Sequence, residues 1–146
     1  MASVVPLISS GVAGPLGVLH LPRFWLKVIL DAKGQLAEGY PACGAGFDQM
    51  VIDGLGLDKE ETLAYLTEHL PSYLEFEKWI LTKKGGSLEQ SAVDELNGSI
   101  AGYHHDDETR GSILSAGGVS DDGSILDAVN LNNLDDWTEV HAALTR

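Results

Sequence analysis

Arg23 and Lys27 stand one helical turn apart inside the run Leu21-Pro22-Arg23-Phe24-Trp25-Leu26-Lys27-Val28-Ile29-Leu30. With Asp31 they form the one charged stripe on an otherwise apolar stretch. Four-residue spacing places the three on a single helix face. A guanidinium offers two parallel donors to a carboxylate or phosphate, and an ammonium adds a compact point charge, so the pair suits a small anion. The bland alternative is a solvated stripe in which Asp31 partners Lys27.

Other groups nearby could move a proton. His20 directly precedes the helix and titrates near neutral pH. Its position before Leu21-Pro22 reads as extended backbone. Asp48 stands at the start of a second helix beside Phe47; burial there would raise its carboxyl, though it also complements the helix dipole. Tyr40, read as closing the first helix, can hydrogen-bond an oxygen that gains charge. Cys43, in the Cys43-Gly44-Ala45-Gly46 loop, lies just before a helix start, where a thiolate is favoured. The glycines there would let backbone N–H groups meet an anion, although the loop fits neither a Walker pattern nor a dinucleotide fingerprint. Catalytic roles therefore fall to His20, Asp48 and Tyr40, and ligand contacts to Arg23, Lys27 and Cys43.

A second cluster, His104-His105-Asp106-Asp107-Glu108, invites a metal. Adjacent histidines diverge, and no His-x-x-x-His spacing occurs, so a polar helix start with dipole-complementing acids explains the cluster more simply. No metal and no organic cofactor is assigned. A metal-dependent enzyme built on His104 and His105 stays as an alternative.

The elements that must hold these groups are helical. The chain has 146 residues and the size of one domain. Pro22 suits the first position of a helix running to about Ala37. A short helix follows over 47–55. Asp58 to Glu61 is a capping-box pattern that opens a helix ending before Pro71. Further helices are expected over 71–84, from a second capping box at Ser87 to Gln90 through Ile100, and from about residue 104 to 116. Residues 1–19 read as an irregular segment, 117–124 as a flexible acidic loop and 135–146 as a C-terminal docking helix led by Trp137, Val140, His141 and Leu144. Trp25, Trp79 and Trp137 read as core. Few segments alternate with period two, so the expected fold is mostly α, a single compact domain of about six short helices.

Charge narrows the partners. Asp and Glu outnumber Lys and Arg by 22 to 9, for a formal charge of −13. Such a surface repels phosphate backbones and anionic bilayers, which argues against nucleic acid and membrane. One cysteine fits a reducing compartment, and no leader or spanning segment is legible, so a cytoplasmic protein is expected. The Asn97-Gly98-Ser99 sequon carries no meaning there. Self-association is left open.

Part of the pattern is shared with known sequences. His20-Leu21-Pro22-Arg23, Lys27, Leu36 to Tyr40, and Phe47-Asp48-Gln49-Met50 leading to Leu55-Gly56-Leu57 resemble a family of small bacterial proteins classed as a domain of unknown function. The likeness spans Gly17 to Ile80. It implies a helical fold and groups Arg23, Lys27, Tyr40 and Asp48 as positions that belong together; it supplies no activity. The functional expectation is a small cofactor-independent enzyme of lyase, isomerase or hydrolase type. It would act by acid/base chemistry on a small anionic or polar metabolite held by Arg23 and Lys27. The rival is a non-catalytic acidic interaction protein. Arg23→Ala divides the two: a ligand site predicts an unharmed or firmer fold, a structural role a weaker one.

Overall fold

The computed structural model describes residues 3–146, so the first two residues of the expected irregular segment lie outside it. The fold is mostly α, as the periodicity predicts, and the described residues form seven helices rather than about six: α1 Leu21–Ala32, α2 Phe47–Gly54, α3 Lys59–His69, α4 Tyr73–Lys83, α5 Gln90–Ala101, α6 Asp107–Ala116 and α7 Ala128–Leu144. Helix α1 is central, packing on α2, α3 and α4; α2 packs on α5, and α6 on α7. Val18, Leu21, Phe24 and Val28 meet Val51, Leu66, Phe76, Ile80 and Ile100 in one core. Each such side chain, fully buried, contributes roughly 1.5–3 kcal/mol from removal of apolar surface from water.

Helix ends follow local chemistry. Asp58 accepts from the Glu61 N–H at 2.9 Å, as its pattern predicts. The reciprocal capping box forms instead at Ser72 and Glu75, which begins α4 at Tyr73 rather than at Pro71. The pattern at Ser87 is not used: α5 starts at Gln90 behind Glu89, which makes no side-chain cap bond. Helix α1 stops at Ala32, five residues short of expectation, because Gly34 turns the chain through φ 67°. Leu36 then leaves the helix to pair with Val4 in an isolated parallel bridge. Tyr40 accordingly lies in the loop after α1 and does not close the helix.

The irregular N-terminal segment is a strap pinned at several points. Val4 exchanges backbone hydrogen bonds with Gln35 and Ala37. Ala13 and Leu19 bridge across a turn at Gly17, whose φ of 77° suits glycine. The Asn97 amide clamps that turn, accepting from the Leu19 N–H at 3.0 Å and donating to the Gly17 carbonyl at 2.7 Å. The sequon asparagine is thus a backbone anchor. Gly14 packs so tightly on Tyr73 and Glu77 that a Cβ would fall within 2.4 Å of the tyrosine ring. Glu77, buried, accepts from the Tyr73 hydroxyl at 2.6 Å and the Leu16 N–H at 3.3 Å, which ties the strap to α4.

Helix α7 departs most from expectation. It begins at Ala128, capped by Asp127, two turns before the expected start, and the asparagines over 130–133 had masked the periodicity. Its buried face is Ala128, Leu131 and Asp136, while Trp137 is 59% and Leu144 79% exposed. Trp137 is therefore not core. Its place on the inner face is taken by the neighbouring carboxylate, which answers a charge on α1. No helix among the described residues is long and apolar enough to cross a membrane.

Candidate functional site

Three of the charged or polar groups flagged at the start of α1 are buried. His20 is 2%, Arg23 5% and Lys27 6% exposed. Asp31, the bland partner for Lys27, is exposed, and Lys27 turns instead to α2. Its Nζ donates to Asp48 Oδ2 at 2.5 Å, and the Gly44 N–H donates to the same oxygen at 2.8 Å. His20 occupies the other carboxylate oxygen, Nε2 to Oδ1 at 2.6 Å, while the Ser10 hydroxyl meets its Nδ1 at 2.8 Å. Asp48 accepts at every bond it makes, so Nε2 carries the proton and Nδ1 accepts from Ser10.

The protonation states follow. Burial lowers the His20 pKa below its ordinary 6.5, and the hydrogen bond and charge of Asp48 do not overcome it, so the imidazole is neutral. Burial alone would raise the Asp48 carboxyl. The bonds and charges of His20 and Lys27 outweigh it and hold the group below the usual carboxylate range. The result is a continuous chain, Ser10–His20–Asp48–Lys27, linking the strap, the start of α1 and the start of α2. Its residue types match a hydrolytic triad. However, Ser10 is fully buried and does not line the adjoining cavity, so its hydroxyl serves the imidazole rather than a substrate.

The backbone of His20 is the cost of this geometry. The sequence reads as extended there, yet φ is 70° and ψ −20°, in the left-handed region. Helix α1 starts at Leu21, one residue before the proline. The chain enters it through a sharp reversal in which His20 N–H bonds Val12 and its carbonyl accepts from Phe24. A non-glycine residue in this conformation stores strain that the surrounding contacts must hold. Phe47 braces the imidazole, with ring centroids 5.3 Å apart.

Arg23 builds a second assembly one turn along. It forms a two-pronged pair with Asp136 of α7, Nη1 to Oδ2 at 2.6 Å and Nη2 to Oδ1 at 3.1 Å. The same Nη1 donates to the carbonyls of Pro6 at 2.7 Å and Ile8 at 3.0 Å. Tyr40 donates its hydroxyl to Asp136 Oδ1 at 3.0 Å and lies under the guanidinium, 5.9 Å from its ring centre. Burial, and then the charge of Asp136, push the phenol pKa far above its ordinary value, so Tyr40 is a donor and never a phenolate.

Both assemblies open onto one cavity of about 610 Å³. His20, Arg23, Lys27, Tyr40 and Asp48 line it together, five of the six residues nominated from sequence. Cys43 does not line it. The thiol packs partly buried against the core, and burial, then the Asp48 charge, push its pKa up, away from thiolate. Further lining comes from residues the sequence did not bring here: Tyr103, His105, Asp106, Thr109, Asn132 and Asp135. Ser10 and Asp136, which hold the floor in place, were also missed. The 117–124 loop contributes nothing to the lining; Asp121 within it bonds Arg110 of α6 at 3.0 Å.

The metal alternative finds no ligand set. His104 is exposed and bridges Asp127 through the backbone, and His105 Nε2 meets Asn132 Oδ1 at 2.9 Å. No group of three or more His, Cys, Asp or Glu side chains is placed to hold a metal among the described residues. No protein-family model matches the chain, and no curated protein sequence matches it.

Proposed function

We propose that the cavity binds a small polar metabolite and that the chain of groups at its floor performs cofactor-independent acid/base chemistry on it, of lyase, isomerase or hydrolase type. One observation carries this reading. A buried histidine is held in a strained conformation so that a neutral imidazole, an ionised carboxylate and an ammonium fall in line at the wall of a cavity. Strain and buried charge both cost stability, and such costs gather where function requires them.

The roles follow from what each group has left to offer. Lys27 spends one of its three N–H groups on Asp48 and meets an oxygen of the ligand with the others. As that oxygen gains charge, the ammonium stabilises it and supplies a proton. Asp48 and His20 fix the ammonium, and water entering the open cavity returns the proton to it. Tyr40 and Arg23 complete the polar wall, with the guanidinium already committed to protein acceptors. The ligand is recognised mainly through Lys27.

A thermal-shift screen of the wild type and Lys27→Met against small carboxylates, phosphates, neutral sugars and amines tests the binding half. A ligand at a hundred times its dissociation constant adds about 2.7 kcal/mol of stability. The expected result is a shift in the wild type that the variant loses. A shift that Lys27→Met leaves intact, or none from any class, overturns the reading and favours the acidic interaction protein instead. With a ligand in hand, His20→Ala and Asp48→Asn should lower turnover far more than they weaken binding.

A further inference from the structure

The cavity has walls of unlike charge, and the imbalance identifies the ligand more closely. On the α1 side, Arg23 and Lys27 are matched in close pairs by Asp136 of α7 and Asp48 of α2. His20 is uncharged, so that side is balanced. On the α6–α7 side the lining carries Asp106 and Asp135. Neither makes an ion pair with a basic side chain among the described residues. Asp106 caps α6 through the Thr109 N–H at 2.7 Å and stays exposed. Asp135 is half-buried on α7 with Glu139 and Asp136 for neighbours, and Arg23, already paired to Asp136, is the fixed cation close enough to ease it. Burial and those two acids raise its carboxyl, the behaviour of a carboxylate short of a cation. Tyr103 also lines the cavity, edge-on to both Phe47 and His105, and presents an aromatic surface suited to an alkylammonium.

An anion alone would satisfy Lys27 but meet, in the same lining, two acids that no basic side chain among the described residues pairs. A cation alone would satisfy the acids and leave idle the spare N–H groups of a buried lysine. Resting on the small-molecule reading above, we infer that the ligand is an amino acid in the broad sense, a molecule with an anionic or strongly polar oxygen group at one end and an amine at the other. Its oxygen end lies on Lys27 and its amine between Asp135 and Asp106. Such a ligand gives the spare Lys27 N–H groups an acceptor, gives the two acids a cation, and adds no net charge to the protein.

The test is an NMR titration with straight-chain ω-amino acids of increasing length, using the alkylamine and the carboxylate of each length as controls. One length of amino acid is expected to bind at least about tenfold more tightly than either half-molecule, the effect of one added charged contact of modest strength. Asp135→Asn should reduce that advantage to the level of the carboxylate alone. Lys27→Met should reduce it to the level of the amine alone. Asp106→Asn should act as Asp135→Asn does, more weakly, since it lies at the exposed rim. If a carboxylate binds as tightly as its amino acid and Asp135→Asn changes nothing, the inference is overturned while the pocket reading stands. If no member of the series binds, the inference is likewise overturned, and the wider thermal-shift screen decides the pocket separately.

Discussion

Arg23 and Lys27 lie one turn apart on the same helix, are equally buried, and each faces a buried aspartate, yet they are not equivalent. Arg23 is saturated. Its fork grips both oxygens of Asp136, the Nη1 of that fork also holds two strap carbonyls, and Tyr40 donates to the same carboxylate. Lys27 makes a single contact, to a carboxylate that it shares with a titratable imidazole. The first pair joins three distant parts of the chain, namely the strap, α1 and α7. The second joins neighbours and leaves donors facing a cavity. A buried ion pair that also ties distant backbone together builds the fold, and one with a single contact beside a cavity is available for chemistry.

The sharpest way to break the comparison is to remove each cation. Arg23→Ala or Arg23→Met strands Asp136 and two backbone carbonyls with no titratable group to compensate. The expected loss is about 3–5 kcal/mol of unfolding free energy, the usual cost of orphaning a buried charge. Chemical denaturation should show it, and hydrogen exchange at Pro6's neighbours Val5 and Leu7 should rise as the strap loosens. Lys27→Met should cost less, about 1–3 kcal/mol, because His20 can take up a proton and answer Asp48 in its place. The two proteins should therefore differ clearly in midpoint. Equal losses would mean that the contrast between the cations is false. Stability unharmed in Arg23→Ala would restore it to the role of ligand anchor.

The same compensation predicts a signature in pH. In the wild type the folded His20 pKa lies below the unfolded value near 6.5, so the unfolded chain binds more protons and stability falls as pH drops below that value. Asp48, also depressed, adds a second loss as pH falls below its ordinary 3.8. Lys27→Met removes a charge that opposes protonation of His20, so the His20 pKa should rise and the first of these losses should shrink. An NMR titration of the imidazole reads this directly. His20→Asn, whose side chain tolerates the left-handed backbone, should flatten the slope between the folded His20 pKa and 6.5 altogether. A slope unchanged in that variant would place the acid sensitivity elsewhere.

How much of this was legible in the chain depends on sequence distance. The charged stripe on α1, the loop before α2 and Asp48 were readable because their signals are local: periodicity, a proline at a helix start, an aspartate in a first turn. Their partners were not. Lys27 pairs with a residue 21 positions away, and Arg23 with one 113 positions away. Asp136 carries no local mark that separates it from Asp135 beside it, yet one is buried under a guanidinium and the other lines a cavity. Trp137 misled for the same reason, since an aromatic at helical spacing signals a core that here turns on a salt bridge. The left-handed His20 could not be anticipated either. The restriction that proline imposes falls on Leu21, and the conformation of His20 is set by Ser10, Val12 and Asp48, which the strap and α2 bring together.

The smallest expected effect concerns Ser10, and it is the finest test of the floor as a built arrangement. Ser10→Ala deletes one hydrogen bond and leaves Nδ1 of a buried imidazole without a donor, for about 1–2 kcal/mol of stability. The bond to Asp48 should keep the proton on Nε2, so the tautomer should survive while the ring becomes easier to protonate, its Nδ1 lone pair having lost its donor. Nitrogen chemical shifts of His20 distinguish these effects. An unchanged tautomer with a raised pKa supports a chain in which Asp48 orients the imidazole and Ser10 holds it neutral. If the proton instead moves to Nδ1, Ser10 rather than Asp48 sets the ring, and the order of control from α2 back to the strap would have to be reversed.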